Sequence, residues 1–144
     1  MDVKKNEVLK KLQRYCSLQD RSVQKVREKL YRYSSLSQRE KNEIIQTLLD
    51  DSYLDDKRFT ENFVRSKVNQ NKWGRNKIIQ GLFRHKIDEL TIEVGIKGID
   101  EEKYQSNLIK LTRQKSKTNI DREKLIRYLI QRGYDYEEII SIIS

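Results

Sequence analysis

The chain has 144 residues, 37% of them charged and 35% hydrophobic, with a net charge of +9. That balance excludes one large core, and the absence of proline with only five glycines leaves little material for β-hairpins. No apolar run approaches the ~20 residues of a membrane span, and the lone Cys16 excludes an internal disulfide and a Cys-rich metal site.

In chain order, three segments read as copies of one unit with a period of roughly fifty residues. The first copy opens near Asp2, a residue type that suits the positive end of a helix. Cys16 follows Tyr15 on an apolar helical face and reads as core packing. Ser22 is then a candidate N-cap, with Val26 and Leu30 at helical spacing behind it. Ser37 and Glu40 have capping-box spacing, and Ile44, Ile45, Leu48 and Leu49 form the stripe of a third helix.

The second copy starts at Asp55–Asp56, which reads as a helix-start device and not as a catalytic or metal-binding pair. Phe59 and Phe63, then Ile78, Leu82 and Phe83, give two amphipathic helices joined at Asn71–Gly74, with all five residues expected inside. Trp73 precedes the Gly74 cap and stands opposite Ile78, the geometry of a hydrophobic staple. After Asp88, Leu90, Ile92, Val94 and Ile96 alternate, which period alone would allow as a strand. The repeat requires a short helix there, and Gly98 fits a C′ stop.

The third copy starts near Asp100, is capped again at Asp121 before Leu125 and Leu129, and has Ile120 in the staple position. Gly133 fits a C′ position, Asp135 with Glu138 repeats the capping-box spacing, and Ile139, Ile140, Ile142 and Ile143 form the last stripe. The expectation is an all-α protein of three tandem three-helix repeats, 1–54, 55–99 and 100–144, in an elongated array with short joins.

Charge is unevenly spread. Residues 1–56 carry +2, 57–86 carry +8, 88–102 carry −5 and 103–117 carry +5. Between Lys57 and Lys86 nine Lys or Arg face one acid, Glu61, so the second repeat is the basic one and a polyanionic partner is expected. Arg58 and Arg65 share a helical face, as do Lys77 and Arg84, and Lys103, Lys110 and Lys117 recur every seven residues with Arg113 adjoining. With Lys72 and Arg75 at the turn between the two helices, these ten residues are the candidate nucleic-acid contacts. Gly81, between Lys77 and Arg84, marks a close approach by a neighbouring helix or by a ligand backbone, the helix being the favoured reading. The one histidine, His85, ends a helix, where a cationic ring would suit the dipole. No phosphate loop, dinucleotide fingerprint, zinc motif or nucleophile elbow is present, so neither an enzyme nor a cofactor is expected.

The run Tyr53-Leu54-Asp55-Asp56, Arg58-Phe59, Val64-Arg65, Lys72-Trp73-Gly74, Lys77-Ile78 and Leu82 resembles the RecX family of recombinase regulators. Ser22 with Val26-Arg27 and Lys29-Leu30 resembles the first repeat of that family. The resemblance spans nearly the whole chain, densest over 53–87, thinner over 21–56 and thinnest after 103. One departure is at the turns after the middle helices, where the family often has Lys-Gly and this chain has Ser34-Ser35 and Lys86-Ile87. The resemblance implies tandem three-helix repeats and a non-enzymatic cytoplasmic regulator that binds the RecA–DNA filament and inhibits its ATPase and strand exchange. A monomer touching single- or double-stranded DNA through its basic surface is expected, with no membrane association. Two other readings differ in class. One is a helix-turn-helix-like protein reading DNA through Arg75, Asn76, Lys77 and Gln80; the other is an adaptor for an acidic protein.

Overall fold

The computed structural model describes residues 3–143, which hold nine helices and no strand. They are α1 (Val3–Leu18), α2 (Val23–Leu30), α3 (Gln38–Asp50), α4 (Asp56–Asn69), α5 (Arg75–Arg84), α6 (Glu89–Lys97), α7 (Glu101–Ser116), α8 (Arg122–Gln131) and α9 (Tyr136–Ile143). The start expected at Asp2 lies outside the described residues.

Local chemistry explains most of the boundaries. Ser22, Asp55, Asp88, Asp100 and Asp121 each accept a backbone N–H of the first turn that follows. Ser37 and Glu40 complete both halves of a capping box. Gly74 caps α5 without a side chain. Before α9, the Asp135 N–H donates to Glu138 Oε1 at 3.1 Å, the second half of a box. α6 is helical as the repeat required. Its alternating residues are two pairs one helical turn apart: Ile92 and Ile96 turn inward, while Leu90 and Val94 are exposed.

Two expectations are corrected. Gly98 caps α6 with φ −80°, an ordinary right-handed conformation, so its freedom is not used there. Phe83 is half exposed, because Ile78 and Leu82 already fill the inner face of α5. The turns after α5 and α8 are left-handed at equivalent places, Lys86 at φ 55° and Gly133 at φ 103°. Lysine thus takes up the strained conformation that glycine holds one repeat later. The first repeat avoids it by length: Leu30 to Ser37 spans one residue more than Leu82 to Asp88.

The repeats form two cores. Val8, Leu12, Val26, Leu30, Ile44 and Leu48 pack with Leu54 in the first repeat. The second and third repeats share a single core running from Phe59 through Leu82, Tyr104 and Leu108 to Ile139. Cys16 is buried in the first core, as its apolar face implied.

The first two middle helices each have their first N–H satisfied by the repeat that follows. Asp56 Oδ1 accepts the Val23 N–H of α2 at 3.0 Å, and the Tyr104 hydroxyl accepts the Arg75 N–H of α5 at 2.9 Å. Of the two adjacent acids, Asp55 therefore caps its own helix and Asp56 caps another. At the second junction the backbones touch: Gly74 N–H donates to Arg132 O at 2.8 Å, and Asn76 N–H to Gly133 O at 3.0 Å.

Candidate nucleic-acid interface

The ten candidate residues divide once the chain is folded. Arg58, on α4, donates from Nε to Asp20 Oδ1 at 2.8 Å and from its terminal nitrogens to the carbonyls of Ser52 and Tyr53. It fastens the second repeat to the first, with Asn62 adding a bond to the same Asp20 carboxylate. Arg75, at the start of α5, pairs with Glu101 and, at 3.1 Å, with Glu138. Burial works against its charge, but these carboxylates hold the guanidinium charged, above its ordinary pKa. Both arginines are neutralised inside the chain.

The other eight have no ion pair among the described residues. Arg65, Arg84, Lys103, Lys110, Arg113 and Lys117 are exposed, and Lys72 and Lys77 are half-buried. Arg65 donates to Asn62 Oδ1 at 3.0 Å, a neutral partner that leaves its charge uncompensated. Arg65 on α4 and Lys103 on α7 line one groove of about 620 Å³ that also runs along α6. Glu61 and Asp100 share that groove, but the Asp100 carboxylate is occupied by the first N–H groups of α7. Lys110 and Arg113 lie further along α7 in a groove they share with Glu101, which is already paired with Arg75, and with Glu102.

A second cationic group forms around Trp73. Lys67 Nζ lies 4.6 Å and Lys77 Nζ 4.7 Å from the centre of its ring. Phe63 meets Trp73 edge-on at 6.3 Å. A Cβ on Gly81 would come within 2.8 Å of Phe63, so the close approach expected at that glycine is by a side chain of α4. Trp73 is therefore a packing residue between two cations. Lys67 was not singled out in the sequence, although its place one helical turn after Phe63 was a signal.

His85 departs from expectation. Its ring lies 4.7 Å from Phe59 and its Nδ1 is 2.7 Å from Ser22 Oγ, at the N-terminal end of α2. Burial pushes its pKa down, and Lys25 adds to the shift, so the ring favours the neutral form.

The fold and this surface define a class, the tandem three-helix repeat proteins with an uncompensated cationic face. Residues 55–94 match the family model described as RecX, second three-helix domain. The chain belongs to the RecX family of regulatory proteins. It is 32% identical over 108 residues to the regulatory protein RecX of Clostridium botulinum (strain Alaska E43 / Type E3), which covers 69% of this chain and 50% of that protein. It is 28% identical over 130 residues to the regulatory protein RecX of Lactococcus lactis subsp. lactis (strain IL1403), covering 85% of this chain and 48% of the relative. The chain thus spans about half the length of these curated relatives. The crystal structure of RecX from Lactobacillus salivarius has the same fold, with a TM-score of 0.83 at 22% identity over 96% of this chain and 94% of that one. No helix among the described residues is long and apolar enough to cross a membrane.

Proposed function

We propose that this protein is a non-enzymatic cytoplasmic regulator that binds the RecA–DNA filament as a monomer and inhibits recombinase ATPase and strand exchange. The observation that carries this reading is a coincidence in the second repeat. The segment matching the RecX domain also holds cations that no carboxylate among the described residues pairs with. Arg65, Lys72, Lys77, Arg84, Lys103, Lys110, Arg113 and Lys117 are the residues proposed to meet phosphates or acidic groups of the filament. Arg58 and Arg75 hold the repeats in the relative positions that this surface needs.

Direct base reading by α5 fits less well. Of the residues it would use, Arg75 is paired with two glutamates, Asn76 donates to Asp135 Oδ1 at 2.8 Å, and Lys77 lies on Trp73. Only Gln80 of that set is exposed and has no partner among the described residues, which supports contact with backbone phosphates over sequence readout.

The test is a salt titration of binding to an oligonucleotide. Each phosphate contact on a single strand contributes a log–log slope of about −0.7. Changing Lys103, Lys110 and Arg113 to Ala is expected to flatten the slope by about 2. Changing Lys5 and Lys10 in the first repeat, where Lys5 pairs with Glu43, is expected to do much less. Equal weakening by both sets would mean that the charge acts as diffuse background.

A further inference from the structure

A third cationic place lies in the first repeat, where the chain is nearly balanced in charge and none of the ten candidates falls. A groove of about 430 Å³ runs between α2 and α3 and reaches the turn after α5. Arg27, Lys41 and Lys86 line it, and the buried residues Leu30 and Ile45 contribute to its lining. Its one acid, Glu28, lies 3.6 Å from Lys25 Nζ. Arg27 bonds only to the neutral Asn42 Oδ1, at 3.3 Å, so its charge is uncompensated. Lys86 is set by the left-handed turn that brings it to the groove.

Tyr31 closes the end of α2 in this groove. Tyr31 is 85% exposed, more than any other large apolar or aromatic residue described, and Lys41 Nζ stands 5.9 Å from the centre of its ring. The other exposed aromatics have more acidic surroundings. Phe83 shares a groove with Glu89, Glu93 and Lys97, the last two paired with each other, and Tyr136 is flanked in sequence by Asp135 and Glu137. An aromatic face left in water beside three cations is the combination that binds an unpaired base together with its phosphates.

We propose that this groove takes one nucleotide of a single strand, its base stacked on Tyr31 and its flanking phosphates on Arg27, Lys41 and Lys86. The size suits one nucleotide, being within the range of about 300–1,000 Å³ for small-molecule sites. A duplex keeps its bases stacked on each other and has none to offer the ring. The inference rests on the polyanion-binding part of the function proposed above and is independent of the recombinase.

The experiment is fluorescence anisotropy with a labelled oligothymidylate, a duplex of equal length and poly-glutamate, all without recombinase. Tyr31→Ala is expected to weaken single-strand binding at least about fivefold, with the salt slope and the duplex affinity unchanged. Tyr31→Phe keeps the aromatic face and is expected to bind as the original chain does. Arg27→Ala with Lys41→Ala is expected to flatten the salt slope. The exposure of Tyr31 allows these changes without loss of core, and helix content measured alongside checks it. Unchanged single-strand affinity in Tyr31→Ala overturns the proposal, as does an equal loss on duplex. Stronger binding of poly-glutamate than of the single strand overturns it in favour of an acidic protein segment. If these results hold while recombinase activity is unaffected by the protein, the groove stands and the recombinase reading falls.

Discussion

Arg75 and Lys103 carry the same charge, and nothing local in the sequence separates them. What separates them is distance along the chain: the partners of Arg75 are Glu101 and Glu138, and the partner of Arg58 is Asp20. Pairs so remote become visible only when the repeats are docked, so the site was legible as a set of charges and not as a division of labour. Arg75→Ala leaves Glu138, itself mostly buried, without its cation. It is expected to lower unfolding stability by about 1–3 kcal/mol in urea while leaving the salt slope of DNA binding unchanged. The Lys103, Lys110 and Arg113 change is expected to do the reverse. His85 gives a second residue-level prediction. Its folded pKa lies below the unfolded value of about 6.5, so the folded state binds the proton less readily. Stability is therefore full above that value and is lost as pH falls below it. Asp56, raised chiefly by burial, works the other way: its cost is present at neutral pH and is relieved as it protonates. The readout is accordingly the difference between the original chain and His85→Gln, measured as unfolding midpoints from pH 7.5 to 5. The original is expected to lose more stability on acidification, and parallel curves would contradict this.

The elements were far more legible than the docking, because helix ends are local. Ser22, Gly74 or Asp121 at the start of each middle helix, with an apolar residue four and eight positions on, is chemistry confined to a few neighbours. Even the alternating stretch of α6 resolved correctly once the repeat was used as a constraint. Gly98 and Phe83 were misjudged because their roles depend on what fills the space beside them. Ser22 and Ser37 have the same cap role but different surroundings. Ser37→Ala is expected to cost about 1 kcal/mol, the usual loss of an exposed cap. Ser22 is fully buried and also holds His85, so Ser22→Ala is expected to cost more, about 2 kcal/mol. Equal losses in urea titrations would show that the His85 bond contributes nothing. Where α5 starts, the backbones of Gly74 and Gly133 are packed too closely for a side chain. A Cβ on Gly74 would come 2.2 Å from the Gly133 carbonyl carbon, and one on Gly133 would come 2.6 Å from Lys77 Cβ at a φ of 103°. Either glycine changed to Ala is expected to cost about 2 kcal/mol or more by urea unfolding, and a cost below about 0.5 kcal/mol would contradict the packing described.

At the scale of the molecule, three copies in the sequence become two cores, since the second and third repeats share theirs. Leu82→Ala is expected to cost about 2–5 kcal/mol and to raise hydrogen exchange in α7 to α9 as well as in its own repeat. Ile44→Ala is expected to act mainly within α1 to α3. Exchange confined to α4–α6 in the Leu82 variant would mean that the repeats unfold singly. The shared core also gives the cationic face a rigid base, because Arg65 and Lys103 come from different repeats and line one groove. The claim that this face serves a recombinase filament is tested most directly by RecA-dependent ATP hydrolysis on single-stranded DNA with increasing amounts of the protein. Hydrolysis is predicted to fall with the original chain and to fall much less with the Lys103, Lys110 and Arg113 variant; hydrolysis unchanged at saturating protein would contradict the account.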